Sequence, residues 1–408
     1  MGSSARDASS SDLPLVVFDD LAGAFGPLTD LRAAFELRAG VGTMLERIEA
    51  QLGRKASAVL VDPRIAAVVS ERLARPANAV PAAPKVHLVN GRLLDTSLAE
   101  VGDGEIVATA EGVLVAARVS ASDASAPAAL AARATRVAEA RLARAPWDIT
   151  TAIAATLDAD LALFAPGVRR ALRPDEGQSF GTHPIAIHPS ATVGPLAVID
   201  ASKGPVVIGA GVVVRPFSVL VGPCAVLDGS TVAERSLLKA STVIGPHCRA
   251  GGEIGGTIFQ AYSNKSHDGH LGDSFVGEWV NIGAGTDNSN LLNTYGEVIV
   301  RLEPDGGLQR TGRQFWGSVL GDHVKLAIGT RLMTGTTVGT GAMIALSRSP
   351  SSLVQRFAWL VDGADGAKTF RFEKFMETAR AMMSRRGEAP SPALEAVLRA
   401  LHAKHAGA

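Results

Sequence analysis

Short apolar runs alternate with longer amphipathic stretches over residues 13 to about 120: LPLVVF, then GTMLERIEAQL, then ASAVLVD, KVHLVNGRLL and GVLVAARV. Strands alternating with helices predict an α/β sheet. From Ala121 to about Phe164 the chain is rich in alanine and helical in composition, interrupted once by Pro146, Trp147 and Asp148, as expected of a connector between domains.

After Gly181 the statistics change. Stepping by six from Ile208 meets Val214, Leu220, Val226, Val232, Leu238 and Ile244, each β-branched or leucine. The position four after each of these holds Val212, Ser218, Cys224, Ser230, Ser236, Thr242 and Cys248, none larger than valine. Two sub-patterns at one period predict a parallel β-helix in which each hexapeptide forms one flat face and three complete a triangular coil, the aliphatic inside and the small residue near the corner. Earlier and later pieces share the register, at Ile187, Val193 and Ile199 and again at Leu320, Leu326, Leu332, Val338 and Ile344. It breaks at ASKGP, between about 250 and 275, and between about 287 and 318, where loops are expected to leave the prism. Breaks in a repeat are where function tends to sit. The hexapeptide form is similar to the left-handed β-helix, an exception to right-handed crossovers.

Beyond residue 350 the pattern returns to a helical period, with Phe372, Phe375, Met376, Ala379 and Met383 on one face, and Leu394, Val397, Leu398 and Leu401 on another. These helices are expected to fold back and cap an exposed solenoid end. The predicted organisation is a disordered tail over 1–12, an α/β domain over 13–150, a helical linker over 151–182, a β-helix over 183–350 and a helical extension over 351–408.

Composition narrows the partners. At 408 residues the chain exceeds one ordinary core, and forty basic against forty acidic residues remove the electrostatic footprint of a nucleic-acid binder. Two cysteines without metal-ligand spacing give no disulfide framework, and both fall on small corner positions of the repeat. No run approaches a membrane span and the N-terminus carries no apolar signal region. A cytoplasmic protein acting on small molecules is expected.

Residues 264 to 290, NKSHDGHLGDSFVGEWVNIGAGTDNSN, gather two histidines, four asparagines and four carboxylates inside the repeat. A histidine is suited to take a proton near neutral pH, and glycine-rich backbone to donate to a developing oxyanion. A solvated loop histidine is the plain alternative for His267, and a turn or asparagine ladder for Asn290. His267, Asp268 and His270 as a metal site lack a third strong ligand. Lys265, Arg249 and Arg313 are candidate phosphate contacts or solvated cations.

This stretch resembles the acetyltransferase half of the bifunctional enzymes that make UDP-N-acetylglucosamine, which carry a histidine ahead of LGD and an asparagine after NIGAGT. Most of the chain resembles a bacterial group of sugar nucleotidyltransferase-like/acetyltransferase proteins, through FDD, PLT, ELRAG, NGRLL, PWD and AYSNKSHDG. The resemblance implies His267 as general base, Asn290 as a sugar contact and the Ala284 backbone as support for the acetyl group, with acetyl-CoA as donor. His270 replaces a tyrosine of the better-known enzymes, and LLNTYG stands where they carry a lysine. Lys265 joins the expected substrate contacts.

At the N-terminus the glycine-rich loop of sugar nucleotidyltransferases is absent, and Asp19 and Asp20 follow the first strand instead. Two acidic residues at a strand end are candidate Mg²⁺ ligands, with Arg32, Arg38, Asn90 and Arg92 on the nucleotide phosphates; a surface turn with ordinary ion pairs is the alternative. Two functional readings follow. One is a homotrimeric bifunctional enzyme joining nucleotidyl transfer from UTP or another NTP to N-acetylation of an amino-sugar phosphate. The other is an acetyltransferase whose N-terminal domain is a degenerate sugar-phosphate-binding module. A scaffold β-helix without turnover leaves the cluster unexplained.

Overall fold

The computed structural model describes residues 13–164, 171–363 and 368–405, so the expected disordered tail lies outside the described residues. The chain divides into two compact units, the first built from residues up to 23, 33–36 and 43–144, the second from 24–32, 37–42 and 145 onward.

In the first unit, strands run in the order Ala58–Leu60, Leu15–Phe18, Lys85–Asn90, Leu114–Ser120, Ile106–Ala108, Arg136–Val137. Leu15–Phe18 pairs in parallel with both neighbours, and all four of its residues are buried, as befits an apolar strand covered on both faces. Leu114–Ser120 enters antiparallel, making the sheet mixed. The helix Met44–Leu52 begins at a capping box, Thr43 accepting from the Glu46 amide while the Glu46 carboxylate accepts from the Thr43 amide. It ends on Gly53 at φ +64°, the left-handed conformation glycine adopts without penalty.

In the second unit the hexads form a three-sided parallel β-solenoid with sheets of 6, 9 and 10 strands. Ile208 pairs with Val226 and Val226 with Ile244, so one coil spans three hexads. The aliphatic positions from Ile208 to Ile244 and the small positions from Val212 to Cys248 are all buried. Corner serines replace lost backbone partners: Ser230 Oγ donates to the Gly245 carbonyl and accepts from the Cys248 amide. Burial pushes the thiols of Cys224 and Cys248 up to about 12, leaving them as inert packing.

The register changes where the sequence foretold it. Ile244 pairs with Phe259 and Ala250 with Lys265, a shortened coil, whereas Val276 pairs with Leu320 across an excursion that carries a small hairpin, Ile299–Val300 with Gln309–Arg310. At one corner His247, Tyr262, Trp279 and His323 all adopt positive φ, and their rings form a column with centroid spacings of 4.9, 4.4 and 6.4 Å. No hexad count announces this column, because non-glycine residues there are held by stacking and by backbone bonds such as Tyr262 N to Pro246 O.

Beyond the last coil the chain turns helical, as expected. Phe372, Phe375, Met376 and Leu398 pack with Phe357 and Phe370, and Arg386, just past the helix Phe372–Ser384, reaches Asn264 on an earlier coil, so the chain folds back along the solenoid. Among the described residues no helix is long and apolar enough to cross a membrane.

Candidate active site

The polar stretch occupies two successive coils. Asn264–Lys265 and Asn281–Ile282 are neighbouring strands of one face, and His270–Gly272 opens the next face. Close approach of the coils requires glycine at 269, where φ is +121° and a Cβ would lie 2.2 Å from the Thr286 carbonyl oxygen.

His267 sits on the corner between these faces and is exposed. His270 is half-buried and oriented: its amide donates to Asp287 Oδ1 at 2.6 Å, and its Nδ1 lies 3.1 Å from the Asn288 carbonyl oxygen. A carbonyl only accepts, so Nδ1 carries the proton and Nε2 faces Glu253 Oε1 at 3.8 Å. Asn290 donates from Nδ2 to Asp273 Oδ2 at 2.6 Å. A Cβ on Gly272 would meet both Asn290 Nδ2 and His270 Cε1 at 2.7 Å, so the missing side chain lets the histidine and the asparagine converge. Burial raises the Asp273 carboxyl above its ordinary range, against the opposing pull of Asn290 and of Arg313.

Ala284 lies half-buried on the adjoining turn, where its carbonyl accepts from the Gly329 amide. Lys265 departs from the expectation of a substrate contact. It occupies an interior slot, 1% exposed, and its Nζ donates to the carbonyls of His267 at 3.0 Å and Gly251 at 3.3 Å. Burial lowers it to about 8, opposed by Asp287 and Asp268. It therefore acts as a clamp beneath the His267 corner. Sequence reasoning missed Asp273, Asn288 and Glu253 as partners. Asn288, which bonds both backbone groups of Gly272, was visible only through coil-to-coil pairing.

The N-terminal candidates fall into separate networks. Asp20 accepts from Arg92 Nε and Nη2, both at 2.6 Å, and from Asn90 Nδ2 at 2.9 Å. Arg92 also donates to the Ala143 carbonyl and Asn90 to that of Leu114. Burial would raise the Asp20 carboxyl, yet Arg92 and Asn90 outweigh it and hold it low. Asp19 accepts from the amides of Leu21 and Ala34, and burial raises it. Both carboxylates are thus engaged by protein donors, and among the described residues no cluster of three metal-ligating side chains exists. A Mg²⁺ held by Asp19 and Asp20 would have to displace the Arg92, Asn90 and backbone donors that engage them.

Arg32 and Arg38 belong to the second unit, contrary to their expected place beside a nucleotide. Arg32, 1% exposed, pairs with Asp322 at 2.8 Å and Glu278 at 3.1 Å. Arg38 donates from Nε to the Gln260 carbonyl at 3.1 Å, and its amide donates to the Gln260 side chain.

Residues 15–168 match the family model described as sugar nucleotidyl transferase. The bifunctional protein GlmU of Gloeobacter violaceus is 36% identical over 125 residues, 29% of this chain and 26% of that protein. The GlmU of Nostoc sp. is 31% identical over 172 residues, 41% of this chain and 35% of that protein. A bifunctional sugar-1-phosphate nucleotidylyltransferase/acetyltransferase of Sulfurisphaera tokodaii is 31% identical over 104 residues, 26% of this chain and 24% of that protein. The matches thus span about a quarter to a third of these relatives' own lengths. Over residues 15–168, less than half of its length, the chain matches the sugar nucleotidyl transferase model, and over parts of its length it is similar to bifunctional sugar nucleotidyltransferase/acetyltransferases.

Proposed function

We propose that the chain is a bifunctional transferase acting toward nucleotide sugars of the UDP-N-acetylglucosamine type. The solenoid moves an acetyl group from acetyl-CoA to the amine of an amino-sugar phosphate, and the N-terminal unit moves a nucleotidyl group from UTP or another NTP to a sugar 1-phosphate. The observation that carries the acyl half is the open His267 corner, clamped from below by Lys265 and set beside the convergent His270 and Asn290. Bound acetyl-CoA supplies an activated thioester carbonyl. His267 takes the proton from the attacking amine, and that proton leaves with the departing thiolate. His270, fixed through Nδ1, and Asn290, fixed by Asp273, orient the acceptor sugar.

The nucleotidyl half rests on the family match. Pyrophosphate release from UTP is expected with glucosamine 1-phosphate or N-acetylglucosamine 1-phosphate, and not without the sugar. Acetyl transfer without pyrophosphate release would leave the second reading, an acetyltransferase with a degenerate sugar-phosphate-binding unit. The closed Asp20–Arg92 pair is what favours that alternative.

A homotrimer completes the proposal. Phe315, Ile328 and Met333 are exposed apolar side chains close to the site turns, with Ile328 78% exposed, and they suit contact with a second copy. Sedimentation is expected to give a trimer; a stable monomer at micromolar concentration would contradict it. Two unpaired, buried cysteines fit a reducing, cytoplasmic setting.

A further inference from the structure

One face of the solenoid presents Arg249, Asn264, Asn281 and Lys325 in register on four successive coils. The C-terminal end of the helix Phe372–Ser384 lies over this column and adds Arg385 and Arg386, lining an open cavity of about 360 Å³. Four of its nine lining residues are cationic and none is acidic.

Helix polarity accounts for part of this charge, because cations are favoured at a helix C-terminus. It does not account for Arg249 and Lys325, which stand on the facing sheet. Nearby carboxylates are turned to other partners: Glu388 accepts from the Tyr262 hydroxyl at 3.3 Å, and Glu278 and Asp322 pair with Arg32. Among the described residues Arg249 and Arg385 form no ion pair. Lys325 Nζ donates to the corner carbonyls of Trp279 at 2.8 Å and His323 at 3.0 Å, which holds it at the cavity wall, and burial pushes it down to about 7. Arg386 donates to Asn264 Oδ1 at 3.0 Å; burial lowers it first, then the charges of Arg249 and Arg385. Cations held together without a carboxylate repel one another, and a compact polyanion relieves that repulsion.

We propose that this cavity binds a diphosphate-bearing ligand, held by Arg249, Lys325, Arg385 and Arg386 with the amides of Asn264 and Asn281 as further donors. The same chemistry is offered by free pyrophosphate, by a nucleoside diphosphate and by coenzyme A. Arg249 is among the candidate phosphate contacts read from the sequence, but none of the six residues enters the acyl or nucleotidyl steps proposed above, so the site stands or falls independently of those steps.

Calorimetric titration of the full chain with inorganic pyrophosphate, UDP and coenzyme A, run in parallel, distinguishes the sources. Binding of at least one is expected, weakened on the order of tenfold or more by Arg249→Gln and again by Arg385→Gln, since hydrogen bonds to charged groups are worth about 1.5–3 kcal/mol. Equal affinity for all three identifies a general diphosphate site, and binding of coenzyme A alone assigns the cavity to the acyl donor. No binding of any probe, or binding unchanged in both variants while their thermal unfolding matches wild type, overturns the proposal.

Discussion

Leu220→Asp is expected to yield no folded solenoid. Leu220 is fully buried and sits between Ile199 and Leu238 on adjacent coils, so the new carboxylate would be stranded among apolar side chains. Loss of a buried leucine alone costs about 2–5 kcal/mol, and an unpaired buried charge adds several more, against a total stability of about 5–15 kcal/mol. The control is Arg215→Asp, at an exposed position one residue after the interior Val214. It should unfold within a few degrees of wild type. Circular dichroism and thermal melts of both variants decide the matter, and equal damage from the two would refute the hexad register.

That register was legible because the interior of a triangular coil admits one aliphatic per face, leaving a periodic trace from Ile208 to Ile244 that no other fold requires. The buried face of the helix Phe372–Ser384 was legible for a similar reason, as its five buried residues follow the helical period. Side-chain partners remote in the chain were not. Arg32 finds Asp322 and Arg92 finds Asp20, pairings that ion-pair chemistry permits but that no local pattern specifies. The interior slot of Lys265 is not legible in the sequence, because the coil before it is shortened and counting by six does not locate it. The convergence of His270 and Asn290 depends on the pairing of one coil with the next around Gly272, so the sequence showed its members without their geometry.

His267→Ala carries the other large effect. The ring stands on an exposed corner whose backbone is fixed by Lys265, so its removal should leave folding, assembly and nucleotidyl transfer intact. General-base catalysis contributes on the order of 10²- to 10⁴-fold in rate, about 3 to 5 kcal/mol of transition-state stabilisation. His270→Phe is different in kind. It removes the ring anchored on Asn288 and should raise KM for the sugar more than it lowers kcat.

Release of free thiol from acetyl-CoA in the presence of glucosamine 1-phosphate, followed side by side for the wild type and His267→Ala, tests acetyl transfer by the solenoid most directly. The predicted result is sugar-dependent release by the wild type, reduced at least a hundredfold in the variant with unchanged thermal unfolding. No release by the wild type with any amino-sugar phosphate, or full activity in the variant, would contradict it.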